Sequence, residues 1–295
     1  MVKGYMGMNI IDTLGDISRV FEAGIFDMAA WEAYIDKWIP GARELCVQDM
    51  QECLRAGFTW ENDYLPVLNA VQTAKERLET AVASFKRVTE HLDERVRERF
   101  GRTLDADLVL YLGLCNGAGW VTEINGRTMV LLGIEKIIEL DWCDIDSMNG
   151  LIVHELGHVY QGQYGKLYID TASSRERFLW QLFTEGVAMV FEQEVLGDSK
   201  YFHQDVNGWL AWCDSHEGRI KASFAADLDT MTADNQRYFG DWVKFEGHGD
   251  TGYYLGTQFV RFLMETDSWD NIIGYGIEDV CVEFEYFMRR PSEKR

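Results

Sequence analysis

The sequence predicts a predominantly helical α+β fold, with a small antiparallel sheet between two helical regions. Apolar residues recur at helical spacing over much of residues 17–100. An Asn125-Gly126 pair then separates two alternating segments, which is the strongest short-range signal of a β-hairpin. Helical patterning returns near residue 146 and continues, with breaks, to residue 290. Helices should therefore flank a short sheet.

Residues 1–101 are predicted to form an N-terminal helical region. Between residues 63 and 100, apolar side chains recur every three or four positions, which predicts one or two amphipathic helices. These side chains are Leu78, Val82, Phe85, Val88, Leu92 and Val96. Gly101 ends the pattern. The other residues, 102–295, are predicted to form a second region that packs with the first as one body.

The second region begins with the predicted sheet. Residues 107–115 form a compact apolar run, and residues 119–134 alternate around the hairpin turn. The helical segments that follow begin at residue 146 or 147 and recur at 177–196, 252–266 and 278–290.

Composition and charge limit the class of partner. Hydrophobic residues make up 47% of the chain and only three residues are proline, which is typical of a folded protein. The formal net charge is −21, which would repel nucleic acid and anionic membrane surfaces. A peptide or protein substrate, or another small molecule, is the expected partner.

The six cysteines are scattered, with no Cys-x-x-Cys pair. The first residues show no apolar signal segment, and no apolar run reaches the length of a membrane span. These observations predict a cytoplasmic protein with reduced thiols. No feature indicates the oligomeric state.

One segment carries specific chemistry. Residues 151–160 read LIVHELGHVY, which places His-Glu-x-x-His inside an apolar helical run. His154 and His158 are four residues apart and share one helix face, so both imidazoles can bind a single ion. Imidazole nitrogen suits Zn²⁺, and Glu155 can hold a water molecule at the metal and take its proton. The motif predicts one zinc ion per chain; two hydrogen-bonded core histidines are the alternative.

A catalytic zinc site normally has three protein ligands, so a third ligand must lie elsewhere. The extended motif that ends in Gly-x-x-His is absent, because Gln161 and Tyr164 occupy those positions. Glu185 is the first candidate, since it lies in the apolar segment FTEGVAMVF, where an unpaired carboxylate is costly. Gly186 beside it would permit a close approach of helices. The alternatives are Glu192, Asp170 and His203.

These segments resemble those of the gluzincin zinc metallopeptidases of the thermolysin-like peptidase MA clan, in particular their predicted zinc-dependent protease members. The resemblance rests on His154-Glu-x-x-His158, on Thr184-Glu185-Gly186-x-Ala188, and on the segment GYYLG at 252–256, which looks like Gly-Tyr-x-x-Gly. It covers about half of the chain, from the hairpin to the last helix. The first hundred residues match no motif.

The resemblance implies a zincin-like catalytic core over residues 102–295. It implies that His154, His158 and Glu185 bind zinc and that Glu155 is the general base of peptide-bond hydrolysis. A tyrosine of the third segment would stabilise the oxyanion, with Tyr253 preferred to Tyr254 and with His248 as a further candidate nearby. A strand within residues 119–135 would align extended substrate.

The chain departs from two patterns of this clan. Thermolysin has an aspartate four residues after its glutamate ligand, where this chain has Met189. The Gly-x-Met-Glu-Asn signature of the related aminopeptidases is absent. These departures argue against exopeptidase activity and against a thermolysin-type partner for a zinc-bound histidine.

Three other functions compete with a peptidase. A di-iron centre needs two copies of Glu-x-x-His, and the chain has only the copy at residues 155–158. A catalytically silent zincin-like module could keep the zinc for binding or regulation, but a structural zinc needs no base such as Glu155. A metal-free helical scaffold remains an alternative for the N-terminal region.

Overall fold

A computed structural model describes residues 7–240 and 243–290 of the chain. Contacts divide the chain into two compact units, Met1–Glu155 and Leu156–Arg295, and the division falls inside one continuous helix. The boundary between residues 101 and 102 that the sequence suggests stays a prediction. The two predicted regions, 1–101 and 102–295, also include residues 1–6, 241, 242 and 291–295, which lie outside the described residues.

The first unit contains a four-stranded sheet and a separate two-stranded ribbon. The strands are β1 (Asn9–Asp12), β2 (Phe21–Glu22), β3 (Ile25–Phe26), β4 (Asp107–Tyr111), β5 (Gly119–Ile124) and β6 (Arg127–Gly133). The sheet order is β1-β4-β6-β5, so β5 lies at one end. Strands β2 and β3 form the ribbon.

The prediction of an antiparallel sheet was wrong, because the sheet is mixed. Strands β1 and β6 both run parallel to β4, and only β5 is antiparallel to its neighbour β6. The β5–β6 hairpin itself is confirmed, and both turn residues, Asn125 and Gly126, have the positive φ that a two-residue hairpin turn favours. Parallel strands are joined by long connections, which leave no local signal in the sequence. Strand β1 also shows that the N-terminal region is not helical throughout.

Helices make up most of the remaining first unit. A 3-10 helix (Leu14–Val20) precedes α1 and a π-helical turn (Trp60–Tyr64) precedes α3. The α-helices are α1 (Met28–Trp38), α2 (Ala42–Arg55), α3 (Leu65–Thr73), α4 (Lys75–Thr89), α5 (Leu92–Phe100) and α6 (Ile134–Glu139). Residues 63–100 thus form three helices where the sequence predicts one or two, and Gly101 ends the last of them in the left-handed conformation. The mostly helical α+β class is confirmed.

Helix α7 (Ile145–Tyr164) runs through the division between the units. The side chain of Asp144 accepts hydrogen bonds from the backbone N–H groups of Asp146 and Ser147 and so caps its first turn. The second unit adds α8 (Ser174–Leu196), α9 (Trp209–Asp227), α10 (Thr251–Leu263), α11 (Trp269–Ile272) and α12 (Ile277–Arg289). Among the described residues, no helix combines the length and the apolar character needed to cross a bilayer.

Glycines set the helix crossings of the second unit. A Cβ on Gly186 would lie 2.2 Å from the carbonyl oxygen of Gly256, so α8 and α10 touch backbone to backbone. The close approach predicted for Gly186 is therefore confirmed. In the same way, a Cβ on Gly157 of α7 would lie 2.7 Å from Cα of Ala188 on α8. The small residues Gly157, Gly186, Ala188 and Gly256 thus allow these helices to pack closely.

Alanine at Gly157 is expected to lower the free energy of unfolding by about 1–3 kcal/mol, because the new methyl group meets backbone that cannot rotate away. Gly162 lies on the same helix, and its nearest neighbour would be a leucine methyl at 3.6 Å. Alanine there should raise the free energy of unfolding by up to about 1 kcal/mol through helix propensity. Urea denaturation of both variants in the presence of a chelator compares them. Equal effects would contradict the close crossing.

A buried carboxylate joins the ends of β4 and β6. Glu135, the second residue of α6, is only 1% exposed. It accepts hydrogen bonds from the backbone N–H groups of Gly113 at 2.9 Å and Cys115 at 3.0 Å. Burial raises the pKa of Glu135 to about 7, although these hydrogen bonds favour the ionised form.

Stability is therefore expected to depend on pH through Glu135. Because its pKa is higher in the folded than in the unfolded chain, the folded chain binds more protons between pH 4.5 and 7. The contribution of Glu135 to the free energy of unfolding should fall over this range, by about 3 kcal/mol at most, and level off above pH 7. Chemical denaturation from pH 5 to 8 should show a decline that Glu135→Gln removes. An identical decline in the variant would refute this assignment.

Candidate metal centre

Helix α7 presents the motif residues on one face. His154 and Glu155 are buried, at 4% and 7% exposure, and His158 lies one turn further along and is half-buried. The apolar neighbours that should bury this helix do so: Leu151, Ile152, Leu156 and Val159 are all at most 4% exposed. The prediction of a polar trio on a buried helix is confirmed.

Helix α8 brings Glu185 to His158. Ala188, which meets Gly157 at the helix crossing, is one turn after Glu185, and Gly157 directly precedes His158. The crossing therefore places the two polar side chains opposite each other. Nε2 of His158 lies 3.4 Å from a carboxylate oxygen of Glu185, and both side chains are less than one-fifth exposed.

Ligand atoms of His154, His158 and Glu185 all lie within 4.8 Å of one another, and we name these three residues the His158 group. Two imidazole nitrogens and one carboxylate oxygen are the donors of many catalytic zinc sites. In a tetrahedral site with bonds of 2.0–2.1 Å, neighbouring ligand atoms are about 3.4 Å apart. The His158–Glu185 distance equals this value, so this pair of donors has the spacing of two ligands in such a site.

A second set of potential ligands includes the same histidine. His154, Glu192 and His203 also have ligand atoms within 4.8 Å of one another, and we name them the His203 group. Glu192 and His203 are two of the sequence-predicted alternatives to Glu185 as third ligand. Asp170, the other alternative, is exposed and belongs to neither of the two groups found among the described residues.

The polar contacts of the His203 group favour a structural role. Nδ1 of His203 lies 3.0 and 3.1 Å from the two carboxylate oxygens of Glu192, which is fully buried. Nε2 of His203 lies 2.8 Å from the side-chain amide nitrogen of Gln204. A neutral His203 that donates from Nδ1 and accepts at Nε2 satisfies both contacts. Metal binding by this group would have to break them.

Glu155 lies against the first residue of β5. A Cβ on Gly119 would lie 2.7 Å from a carboxylate oxygen of Glu155 and 2.9 Å from a methyl group of Leu151. A side chain at this position would therefore have to displace the side chains of Glu155 and Leu151. This role of Gly119 could not be predicted from the sequence, because a glycine beside a hairpin has several common explanations.

The tyrosines of the third segment have different surroundings. Tyr253 lies in the first turn of α10 and is half-buried, with its ring 6.5 Å from that of His203. Tyr254 is 1% exposed, and its hydroxyl donates a hydrogen bond to Asp214 at 3.0 Å. His248 stacks on Trp212 with ring centroids 3.8 Å apart. Tyr254 and His248 thus have partners of their own, and the assignment of Tyr253 to the oxyanion stays a prediction.

A cavity of about 330 Å³ lies elsewhere in the second unit and is lined by α9, α10 and the end of α12. Its walls carry both acidic and basic side chains, among them Asp214, Lys221 and Arg261. No member of the His158 or His203 group lines it. This cavity is therefore separate from the candidate centre, which is identified only by the spacing of its donor atoms.

No family model matches the chain, and neither a curated protein nor a solved structure matches it significantly. The function therefore has to be argued from the residues themselves.

Proposed function

We propose that the protein is a zinc-dependent hydrolase of the gluzincin type that cleaves peptide bonds, with His154, His158 and Glu185 as zinc ligands. The observation that carries the proposal is the 3.4 Å distance between His158 on α7 and Glu185 on α8. Helix α7 also presents His154, whose ligand atom lies within 4.8 Å of both, and Glu155. A site with three protein ligands leaves one position for water or substrate, as catalytic zinc sites do. Zinc bound there would activate a water molecule and polarise the substrate carbonyl.

Glu155 supplies the acid–base chemistry in this proposal. It directly follows a zinc ligand, and its carboxylate is nearly buried. As the water oxygen bonds to the carbonyl carbon, Glu155 takes a proton from the water. It then gives that proton to the amide nitrogen as the C–N bond breaks, so that the products are a carboxylic acid and an amine; the acid then gives its proton to the amine. Tyr253 would donate a hydrogen bond to the oxyanion that forms in between.

Strand β5 is the part of residues 119–135 best placed to align a substrate. It lies at the end of the sheet and begins beside Glu155, whereas β6 lies between two strands. An extended peptide that added to β5 would run past the general base. The net charge of −21 favours neutral or basic peptides over acidic ones.

Hydrolysis of an unfolded protein tests the proposed function. The purified, tag-free chain should bind about one zinc ion and release peptides from casein. A zinc chelator should stop the release, and added zinc should restore it. A zinc-loaded chain that cleaves neither casein nor a mixed peptide library would contradict the proposal and favour a silent binding module.

Tyr253→Phe is expected to lower kcat by about 100-fold while zinc stays bound, because the variant loses one oxyanion donor. Tyr254→Phe is the matched control, one residue along the same helix. It should keep its turnover and lose about 1 kcal/mol of stability with the hydrogen bond to Asp214. Steady-state kinetics and thermal denaturation of both variants check this. A larger kcat loss for Tyr254→Phe would reverse the assignment.

A further inference from the structure

The loop between β4 and β5, residues 112–118, is fixed from one side by Glu135. One carboxylate oxygen of Glu135 accepts from the backbone N–H of Gly113, and the other accepts from that of Cys115. The bonds are 2.9 and 3.0 Å long, and Glu135 is 1% exposed. A single buried side chain therefore holds two points of the loop.

Two glycines allow the backbone to close around this carboxylate. A Cβ on Gly113 would lie 2.6 Å from a carboxylate oxygen of Glu135. A Cβ on Gly133 would lie 2.5 Å from the carbonyl oxygen of Gly117 and 3.1 Å from Glu135. Any larger residue would push the loop away from the carboxylate.

Asn116 fixes the loop from the other side. Its side-chain oxygen accepts from the N–H of Leu114 at 3.0 Å, and its amide nitrogen donates to the carbonyl of Cys46 and to Asp49. The loop then ends at Ala118, whose carbonyl accepts from the N–H of Gly133 at 3.0 Å. The path to the next residue, Gly119, is thereby set.

Gly119 is the residue that lies against Glu155, and a side chain there would displace the Glu155 carboxylate. A displacement of the loop would move Gly119 and change the space open to the Glu155 carboxylate. Glu135 and Glu155 never need to touch for this to happen. The connection runs through five residues of backbone, from Cys115 to Gly119.

We propose that Glu135 is a positioning residue for Glu155, because it clamps the 112–118 loop and so holds Gly119 beside the Glu155 carboxylate. The role of Glu155 as general base rests on the proposed function, whereas the clamp itself does not. The carboxylate has no other function in the proposed mechanism.

Glu135→Gln tests the clamp, with Glu139→Gln on the same short helix as the matched control. An amide has only one acceptor oxygen, so one of the two loop N–H groups loses its bond. Hydrogen exchange at Gly113 or Cys115 should become at least about tenfold faster. Exchange in α8 and α10 and the zinc affinity should stay unchanged, and kcat should fall about tenfold with KM unchanged. Glu139→Gln should match the wild type.

Gly119→Ala tests the other end of the connection without altering Glu135. The added methyl group would displace the Glu155 carboxylate, so kcat should fall at least tenfold while cobalt(II) still binds at one ion per chain. The visible spectrum of the cobalt(II)-loaded variant should change, because in the proposed mechanism Glu155 holds the water molecule that would bind the metal. Unchanged kcat and an unchanged spectrum would overturn the proposal.

The two proposals fail in different ways. Wild-type hydrogen exchange in the 112–118 loop of Glu135→Gln overturns the clamp, whatever the activity of the chain. Faster loop exchange with wild-type kcat overturns the positioning of Glu155. If the wild-type chain hydrolyses no peptide, the proposed function fails, and loop exchange in Glu135→Gln still decides whether Glu135 clamps the loop.

Discussion

Replacing Glu155 with glutamine is expected to lower peptide hydrolysis by about 10²–10⁴-fold while one zinc ion per chain stays bound. Glutamine has nearly the same shape, so it fits beside Gly119 as the carboxylate does. It cannot take a proton from water, which is the step assigned to Glu155. The measurement is kcat/KM on a peptide substrate, together with the zinc content of the same sample.

Glu98→Gln is a suitable control for this variant, since it removes one exposed acid from α5 and leaves the centre and β5 unchanged. It should keep wild-type activity and zinc content. If Glu155→Gln stays fully active, Glu155 is not the base. If it loses zinc as well as activity, its role is in the structure of the centre, and the mechanism given to it is wrong.

Replacing Glu185 with glutamine is expected to weaken zinc binding by more than about 100-fold, since loss of a direct ligand should exceed the effect of an outer-sphere change. Glu192→Gln is the matched substitution, two turns later on the same helix. Its amide oxygen can still accept from His203, so zinc affinity should change by less than about tenfold. Competition with a chromophoric chelator measures both affinities.

The opposite ranking of these two variants would identify the His203 group as the metal site. In that case His154, Glu192 and His203 would hold the ion, and the 3.4 Å approach of His158 to Glu185 would be an ordinary buried ion pair. Equal and small effects would mean that neither acid binds zinc. Each ranking therefore points to a different ligand set.

Much of the candidate centre could be predicted from the sequence because its residues follow local rules. The four-residue spacing of His154 and His158 fixes their common helix face, and an acid such as Glu185 inside an apolar helix needs a partner. The Asn125-Gly126 turn is equally local. Each of these features depends only on residues close in sequence, so a sequence pattern is enough to predict it.

Other features depend on contacts between distant parts of the chain. Strand β1 pairs with β4 across about a hundred residues, and no periodicity records that pairing. Helix α9 was not predicted, since its apolar residues do not gather on one face. The pairing of Glu192 with His203 and the contact of Gly119 with Glu155 also arise only from the fold.

A crystal structure of the zinc-loaded chain, with anomalous data collected on both sides of the zinc absorption edge, tests the central claim most directly. The account predicts one zinc peak per chain, about 2.0–2.2 Å from a nitrogen of His154, a nitrogen of His158 and a carboxylate oxygen of Glu185. A peak held by Glu192 and His203, or a folded chain that binds no zinc at this centre, would contradict it.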